Sequence, residues 1–317
     1  MKKTISYIFP IYNESGNIEL LYKTLLKATK DRPQYGYEFI FVNDGSTDDS
    51  LAKLQVLRKM DVRVGIINFA RNFGHQIAVT AGLDFSVGQA VIIMDSDMQD
   101  PPHVSIELID TWEKGWDVVY AQRRTRKDGV FKRLTAFWFY WALDRLADIR
   151  IPRNTGDFRL IDRRVVDAIG EFREHNRFLR GLVSYVGFRQ TSVQFDRNER
   201  YAGTTGYPFK KMLKFALDGI LSFSWAPLKF ITRIGYIISA LSFSVALYAL
   251  IRKIVDPSAV VPGWAFIVIT ICFIGGIQLL MLGVVGGYIG RIYTETQKRP
   301  LYILESVVTA RNKKPKA

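Results

Sequence analysis

Asp95 and Asp97 stand two residues apart, directly after the apolar run 90–94 (AVIIM). Two carboxylates at i and i+2 on a strand-to-loop corner can converge on one divalent cation. A hard ion such as Mg2+ or Mn2+ takes carboxylates together with phosphate oxygens. An Asp-x-Asp pair alone is a weak signal, because many surface loops contain one. Here Gln99 and then Pro101-Pro102 follow, and the prolines stiffen the exit from the turn. A further carboxylate, Asp44, follows the apolar run 37–42 (YEFIFV) and is placed to accept hydrogen bonds from a base or a ribose. It lies within NDGSTDD, where Asp48 or Thr47 is expected to cap the next helix and leave Asp44 available. Pro10, Tyr12 and Glu14 end the first apolar run; the Tyr12 ring can stack on a base and the Glu14 carboxylate can accept from it.

Such residues need a scaffold that brings their loops together. Residues 4–10, 37–42, 62–67, 90–94 and 116–121 read as strands, β-rich and largely apolar. Helical spacing lies between them: Ile18, Leu21, Leu25 and Ala28 behind a Ser15 cap, then Leu51, Leu54 and Leu57, then residues 73–85. This alternation predicts an α/β fold with a parallel sheet covered on both faces. A sheet of that kind binds its ligand at the carboxyl ends of the strands, which is where YNE, NDGSTDD and DSDMQDPP fall. Neither G-x-G-x-x-G after a strand nor G-x-x-x-x-G-K-[ST] occurs, which argues against dinucleotide enzymes and P-loop ATPases.

The 317 residues carry 44 Lys and Arg against 30 Asp and Glu, a net charge of +14, and 48% of them are hydrophobic. That apolar share excludes a mainly disordered chain. The basic excess favours an anionic partner: nucleic acid, an acidic membrane face or a phosphorylated ligand. The single cysteine, Cys272 in an apolar run, and 3 histidines build neither a disulfide framework nor a zinc pattern. His75 can cap or line the cleft, but a structural role is the expected one, and His103 and His175 carry no signal.

The placement of charge decides between these partners. No Asp, Glu, Lys or Arg occurs from Ile234 to Ile251 or from Val260 to Gly290. About 20 apolar residues cross the roughly 30 Å of hydrocarbon in a bilayer. The two runs therefore predict a transmembrane hairpin, about 231–251 and 262–290. Lysines and arginines crowd its outer ends, while the turn holds only Arg252 and Lys253. The positive-inside rule then places both termini in the cytoplasm, with 1–206 as a cytoplasmic domain. The apolar stretch after Met1-Lys2-Lys3 is too short for a signal peptide. Residues 207–230 read as an amphipathic helix in the membrane interface: Phe209, Met212, Leu213, Ala216 and Leu217 share one face, and Lys210, Lys211 and Lys214 the other. Residues 291–317 read as a basic cytoplasmic tail. Membrane flanks absorb much of the positive charge, so nucleic acid is not expected as a partner.

The segments FPIYNE, VNDGSTDDS and MDSDMQDPP resemble the three nucleotide-sugar segments of family 2 glycosyltransferases with the GT-A fold. NFGHQIAVTAGLDFSVGQA, NTGDFRLIDRRVVDAI, RYAGTTGYPFKKMLK and GGYIGRIYTETQKRP narrow the resemblance to the polyisoprenyl-phosphate glycosyltransferases. These include dolichol-phosphate mannose synthases, bactoprenol glucosyl transferases and aminoarabinose transferases. The match covers nearly the whole chain, and the Q-x-x-R-W of processive synthases is missing from it. The resemblance implies a metal-dependent, inverting transfer of one sugar to polyprenyl phosphate at the cytoplasmic membrane face. The product would serve later glycosylation of envelope glycans. UDP-glucose is the favoured donor, with GDP-mannose or an aminoarabinose donor as alternatives, and a homo-oligomer stays open.

Residue by residue, the resemblance assigns Pro10, Tyr12, Glu14, Val42 and Asp44 to the nucleoside. Asp95, Ser96, Asp97 and Gln99 fall to metal and diphosphate, with Asp97 the direct ligand. Arg123 falls to phosphate, as do Arg133, with Lys132 its rival, and Arg200 on the acceptor side. Asp157 in NTGDF stands in the acceptor loop, which completes a catalytic set of Asp97, Arg123 and Asp157. Gly203-Thr204-Thr205-Gly206 departs from the family's G-E-S-K-like segment by lacking its Glu and Lys. A lipid phosphate, with a second pKa near about 6, is largely ionised at neutral pH and attacks without a strong base. It needs positive charge instead, which the basic stretch 123–133 can supply. Asp157 is then either a base or a residue that positions the acceptor loop. A transferase using a hydroxyl acceptor would need a true base. A catalytically silent nucleotide-sugar-binding scaffold would not need the full Asp44, Asp95 and Asp97 set.

Overall fold

In the computed structural model of the chain, residues 2–124, 155–196, 226–255 and 263–309 are described. Arg133, Arg200, Thr204-Thr205, the expected interface helix up to residue 225 and the hairpin turn at 256–262 lie outside them.

The strands β1 (Thr4–Ile11), β2 (Gly36–Asn43), β3 (Val64–Phe69) and β4 (Ala90–Ile93) alternate with the helices α1 (Ile18–Lys30), α2 (Ser50–Met60) and α3 (His75–Phe85). Next come α4 (Val104–Glu113), β5 (Val118–Arg123), β6 (Thr155–Asp162), α5 (Arg163–Gly170), α6 (Leu179–Tyr185) and β7 (Gln190–Phe195). Two long helices, α7 (Ala226–Val255) and α8 (Trp264–Thr296), precede a last strand, β8 (Leu304–Val308). The sheet has eight strands in the order β7-β5-β6-β4-β1-β2-β3-β8. β1 pairs in parallel with β2 and β4, β2 with β3, and β5 with β7. β6 runs antiparallel between β4 and β5, and β8 runs antiparallel on β3. The expected parallel sheet is therefore mostly, not wholly, parallel. β6 escaped the pattern reading because TGDFRLID carries three charged residues in a mostly buried strand. β8 is short, with no buried position.

Burial on both faces explains the apolar strands. Every residue of β1 is buried. Ile5, Tyr7 and Phe9 pack with Ile18, Leu21 and Leu25 of α1 and Leu54 and Leu57 of α2. Ile8 packs on the opposite face with Ala78 and Val79 of α3. Burying one such side chain contributes about 1.5–3 kcal/mol, so the parallel centre of the sheet is where backbone positions are most firmly set. A Cβ at Gly82 would stand 2.3 Å from Ile8 Cγ2, so a glycine is what lets α3 approach β1. The strand order reverses between β1 and β4, and the loops bearing Tyr12 and Asp95 leave from the two sides of that switch point.

Both expected spans are helical, and they differ. Within α8, Phe273–Thr296 is long and apolar enough to cross a membrane, with a mean hydropathy of 1.7. The apolar stretch of α7 is shorter, Phe230–Val245. Phe243, Phe273 and Leu279 are among the large apolar side chains that these helices expose. The stretch expected as a tail instead contributes β8 to the sheet, because its Leu304 and Val307 pack against the face that holds Ile67 and Phe69.

Candidate functional site

The loops after β1 and β2 are laced together by short polar side chains. Asn13 Oδ1 accepts from Thr47 N at 2.8 Å, Asn13 N donates to Ser46 Oγ at 3.0 Å, and Glu14 N donates to Ser50 Oγ at 3.1 Å. Ser15 does not cap α1. Its N–H donates to Asp48 Oδ2 at 3.1 Å, and Asn17 holds the N-cap position. Asp48 also accepts from Ser50 N at 3.0 Å at the start of α2, close to its expected task, although Asp49 is the formal N-cap. Glu14 Oε2 accepts from Asn17 Nδ2 at 2.5 Å, so this carboxylate holds the entry to α1. Tyr12 is 49% exposed, which leaves ring surface for stacking. Val42 is wholly buried among core residues.

Asp44 is already engaged, contrary to the expectation from its loop, although each of its oxygens accepts only one backbone N–H and keeps a second lone pair. Its Oδ1 accepts from Phe73 N at 2.6 Å and its Oδ2 from Gly74 N at 2.9 Å. Burial raises its pKa, and these two N–H groups and the charge of His75 offset part of that rise. Asp44 thus ties the end of β2 to the β3–α3 loop, and both loops sit at the same edge of the sheet. Gly45 makes the approach possible. It has φ +66°, and a Cβ there would lie 2.5 Å from Arg71 C and Asn72 N. Gly45→Ala is expected to cost about 1–2 kcal/mol for the left-handed backbone alone, plus displacement of residues 71–72. Thermal unfolding and nucleotide titration check this, with both expected to fall; an unchanged melting point would show the loop free to move aside.

The second group of residues surrounds Asp157 on β6, which is buried. Arg180 Nε on α6 donates to Asp157 Oδ1 at 2.8 Å. His75 Nε2 lies 3.2 Å from Asp157 Oδ2, and Gln76 Nε2 donates to the same oxygen at 3.3 Å. Arg159 Nη2 is 3.9 Å from Asp157 Oδ1. Burial opposes the charge on Asp157, but Arg180 and His75 outweigh it and hold the carboxyl well below its usual range. Burial likewise opposes the charge on His75, and Asp157 and Asp95 outweigh it, pushing the imidazole up to about 9. His75 Nε2 also lies 3.7 Å from Asp95 Oδ1, so one ring stands between the carboxylate of β6 and that of the β4 loop.

The β4 loop turns through Met98 at φ 62°, a conformation that non-glycine residues adopt mainly where surroundings enforce it. Asp97 is buried, and its Oδ1 accepts from Gln99 N at 3.1 Å across that turn. Ser96 Oγ donates to the Pro10 carbonyl at 3.2 Å, joining the β4 loop to the end of β1. Asp95 Oδ1 is shut off from solvent, and no donor among the described residues comes within hydrogen-bond distance of it. Burial and the charges of Asp157 and Asp97 raise the Asp95 pKa, and His75 opposes the rise. A buried oxygen that lacks a donor among the described residues, with the Asp97 carboxylate two positions on, fits a hard cation. No group of three His, Cys, Asp or Glu side chains able by itself to hold a metal ion occurs among the described residues. A cation here would complete its shell with phosphate oxygens and water.

Arg123 ends β5 on the strand beside β6. A Cβ at Gly156 would stand 3.3 Å from Arg123 Nη2, which places this guanidinium next to the backbone that carries Asp157. The structure therefore gathers Pro10, Asp44, Asp95, Ser96, Asp97, Asp157 and Arg123 from the expected residues. Pattern reading did not foresee the partners of Asp157. His75 opens α3 and takes the cleft-lining place that the sequence reading ranks below a structural one. Arg159, Arg180 and Gln76 gave no local signal.

The description glycosyl transferase family 2 matches residues 6–170. The uncharacterized glycosyltransferase YkcC of Bacillus subtilis strain 168 is 46% identical, with 99% of this chain and 98% of its own covered. A bactoprenol glucosyl transferase of Shigella phage SfX is 41% identical, with 95% of this chain and 99% of its own covered. Among solved structures, mannosyl-3-phosphoglycerate synthase from Rubrobacter xylanophilus superposes with a TM-score of 0.47 at 15% identity, covering 74% of this chain and 75% of that one; so faint a likeness bears on neither donor nor metal. With an α/β sheet of the GT-A kind and carboxylates at its switch point, the chain belongs to glycosyl transferase family 2 and is a glycosyltransferase.

Proposed function

We propose that this enzyme transfers one sugar, glucose from UDP-glucose first among donors, to polyprenyl phosphate at the cytoplasmic membrane face. One observation carries the acceptor class. The carboxylate nearest the donor aspartates, Asp157, has both oxygens engaged by Arg180, His75 and Gln76 and is held strongly ionised. A carboxylate held in that state is a poor proton acceptor, which favours an acceptor that arrives already ionised, as a phosphate does. The relatives named bactoprenol glucosyl transferases, about 40% identical over nearly their whole length, support the same acceptor and sugar.

The reaction is a single displacement. An acceptor phosphate oxygen attacks C1 of the sugar, the bond from C1 to the diphosphate oxygen breaks with its electron pair leaving on the nucleoside diphosphate, and C1 inverts. Asp44 and Tyr12 hold the nucleoside, and Arg123 beside Gly156 gathers phosphate charge. A divalent cation held by Asp95 and Asp97, with Gln99 at the same turn, supplies positive charge at the diphosphate when bound. Asp157 acts by position: it anchors α6 and the start of α3 around the reacting groups. Arg133 and Arg200 remain assigned to the acceptor phosphate by resemblance alone.

Arg123→Ala should reduce catalysis with lipid phosphate by roughly ten- to a hundredfold, since truncating a charge-assisted contact costs about 1.5–3 kcal/mol. Arg123→Lys should restore part of it, lacking the bidentate fork. An intact nucleotide affinity with a raised acceptor requirement supports the acceptor role, and lost nucleotide affinity moves Arg123 to the donor side.

In this reading the catalytic unit comprises 1–206 with β8 added from beyond the spans, an interface helix 207–230 holds it at headgroup depth, and 231–290 forms a hairpin of two spans. α8 and the shorter apolar stretch of α7 support the hairpin. A reporter at residues 256–259 should be labelled from outside the cytoplasm and one after Lys316 should not; the reverse pattern overturns the orientation. The donor is tested by incubating the purified chain with a panel of nucleotide sugars and polyprenyl phosphate. UDP-glucose is expected to react fastest, and preference for GDP-mannose would reassign the sugar.

A further inference from the structure

The chain beyond α8 does not trail away from the catalytic sheet. β8 pairs with β3, Ile66 opposite Val308 and Phe69 opposite Leu304, and Ala70 N donates to the Ile303 carbonyl at 3.0 Å. Two routes run from this segment to Asp44. The apolar route starts at Tyr302, whose ring stacks on Phe69 with centroids 5.2 Å apart and planes at 14°. Phe69 meets Phe73 edge-on at 5.6 Å and 85°, and Phe73 N is the donor to Asp44 Oδ1. Tyr302 Oη also donates to Asp84 Oδ2 in α3 at 2.8 Å. The polar route starts at Glu305, whose Oε2 accepts from Asn68 Nδ2 at 2.8 Å. Asn68 Oδ1 accepts from Asn43 Nδ2 at 2.7 Å, and Asn43 directly precedes Asp44. Asn43 and Asn68 are 2% and 3% exposed, so water does not readily substitute for this link. At the other end, Glu295 in the last turn of α8 accepts from His175 N at 2.8 Å, and the His175 ring reaches the Arg299 carbonyl at 2.9 Å. The segment is thus fastened at the helix that leaves the apolar span and again beneath the donor loop.

We propose that residues 295–308 are a working part of the donor site, in which Tyr302 and Glu305 are positioning residues. They hold residues 70–74, and through them Asp44, in the geometry that receives the nucleoside. This rests on the reading of Asp44 as a nucleoside-binding residue. The plain alternative is that β8 only covers the edge of the sheet, as many edge strands need. A cover would stabilise the sheet without favouring the donor over the acceptor.

The test uses the full-length chain, with UDP-glucose binding at equilibrium, the KM for polyprenyl phosphate and thermal unfolding measured for each variant. Tyr302→Leu and Glu305→Ala should each weaken UDP-glucose binding by roughly three- to tenfold, the range expected for losing one aromatic pair or one hydrogen bond from a buried amide to a carboxylate. Tyr302→Phe and Glu305→Gln should stay near the original protein, because the ring stack and the acceptor oxygen survive. The KM for polyprenyl phosphate should not move. Folded Tyr302→Leu that binds UDP-glucose normally overturns the inference, as does an equal loss for donor and acceptor that Tyr302→Phe does not repair. If Tyr302→Leu does not fold, Glu305→Ala, an exposed side chain, decides on the same readout. An original protein that binds neither UDP nor any nucleotide sugar overturns the function proposed above and this inference with it. Normal binding by the original protein and by both variants overturns this inference alone.

Discussion

Asp97→Ala is expected to reduce sugar transfer by at least about 100-fold, the scale on which removing one preorganised charge partner of a transition state is felt. The side chain is buried at the carboxyl end of the sheet, beside an Asp95 oxygen that no donor among the described residues reaches. On the proposed mechanism, losing it removes half of the carboxylate pair that would draw a cation onto the departing diphosphate. Because Asp97 Oδ1 also accepts from Gln99 N, Ala changes the turn as well as the charge. Asp97→Asn separates the two effects. Its amide oxygen can still accept from Gln99, so the turn persists while the charge is gone, and its rate should fall nearly as far. Membrane insertion and the melting point should be close to normal for Asn. Near-normal turnover in either variant, or full activity in excess chelator, would remove these residues from the chemistry.

The largest effect on stability is expected at Asp157. Asp157→Ala takes from Arg180, Arg159 and the raised His75 the carboxylate that all three share. Arg159 is itself buried, and burial already lowers its pKa to about 10, with Asp157 the main group opposing that fall. Removing one member of a buried charge pair costs about 3–5 kcal/mol, enough to halve the stability of many domains. Asp157→Asn keeps one acceptor oxygen, enough for Arg180, at the place where Asp157 offers one to Arg180 and another to Gln76, and should fold. Its rate should fall by up to about 100-fold through displaced neighbours, with the pH dependence of kcat/KM between pH 6 and 8 unchanged. Disappearance of an acid limb from that profile would instead identify Asp157 as the base and favour a hydroxyl acceptor.

The parts of the site that could be read in the sequence are those fixed by short-range pattern. Asp95 and Asp97, Asp44, and Tyr12 each follow a buried strand, and the order of parallel strands alone brings their loops to one edge. The fate of Asp44 was not legible, because its partners are backbone N–H groups about 30 residues downstream, brought close by Gly45. The bond between His75 and Asp157 spans 82 residues and that between Asn68 and Glu305 spans 237. No periodicity records contacts of that range. β6 was hidden because a strand that lines a charged site carries charge itself, which breaks the alternation on which pattern reading depends.

The central claim is that the acceptor is a phosphate that needs no base from the protein. The direct measurement offers the purified enzyme radiolabelled UDP-glucose with either polyprenyl phosphate or the matching polyprenol, and follows label into the organic phase. Transfer to polyprenyl phosphate, with none above background to the alcohol, is the predicted result. Comparable transfer to both, or transfer to the alcohol alone, would contradict it.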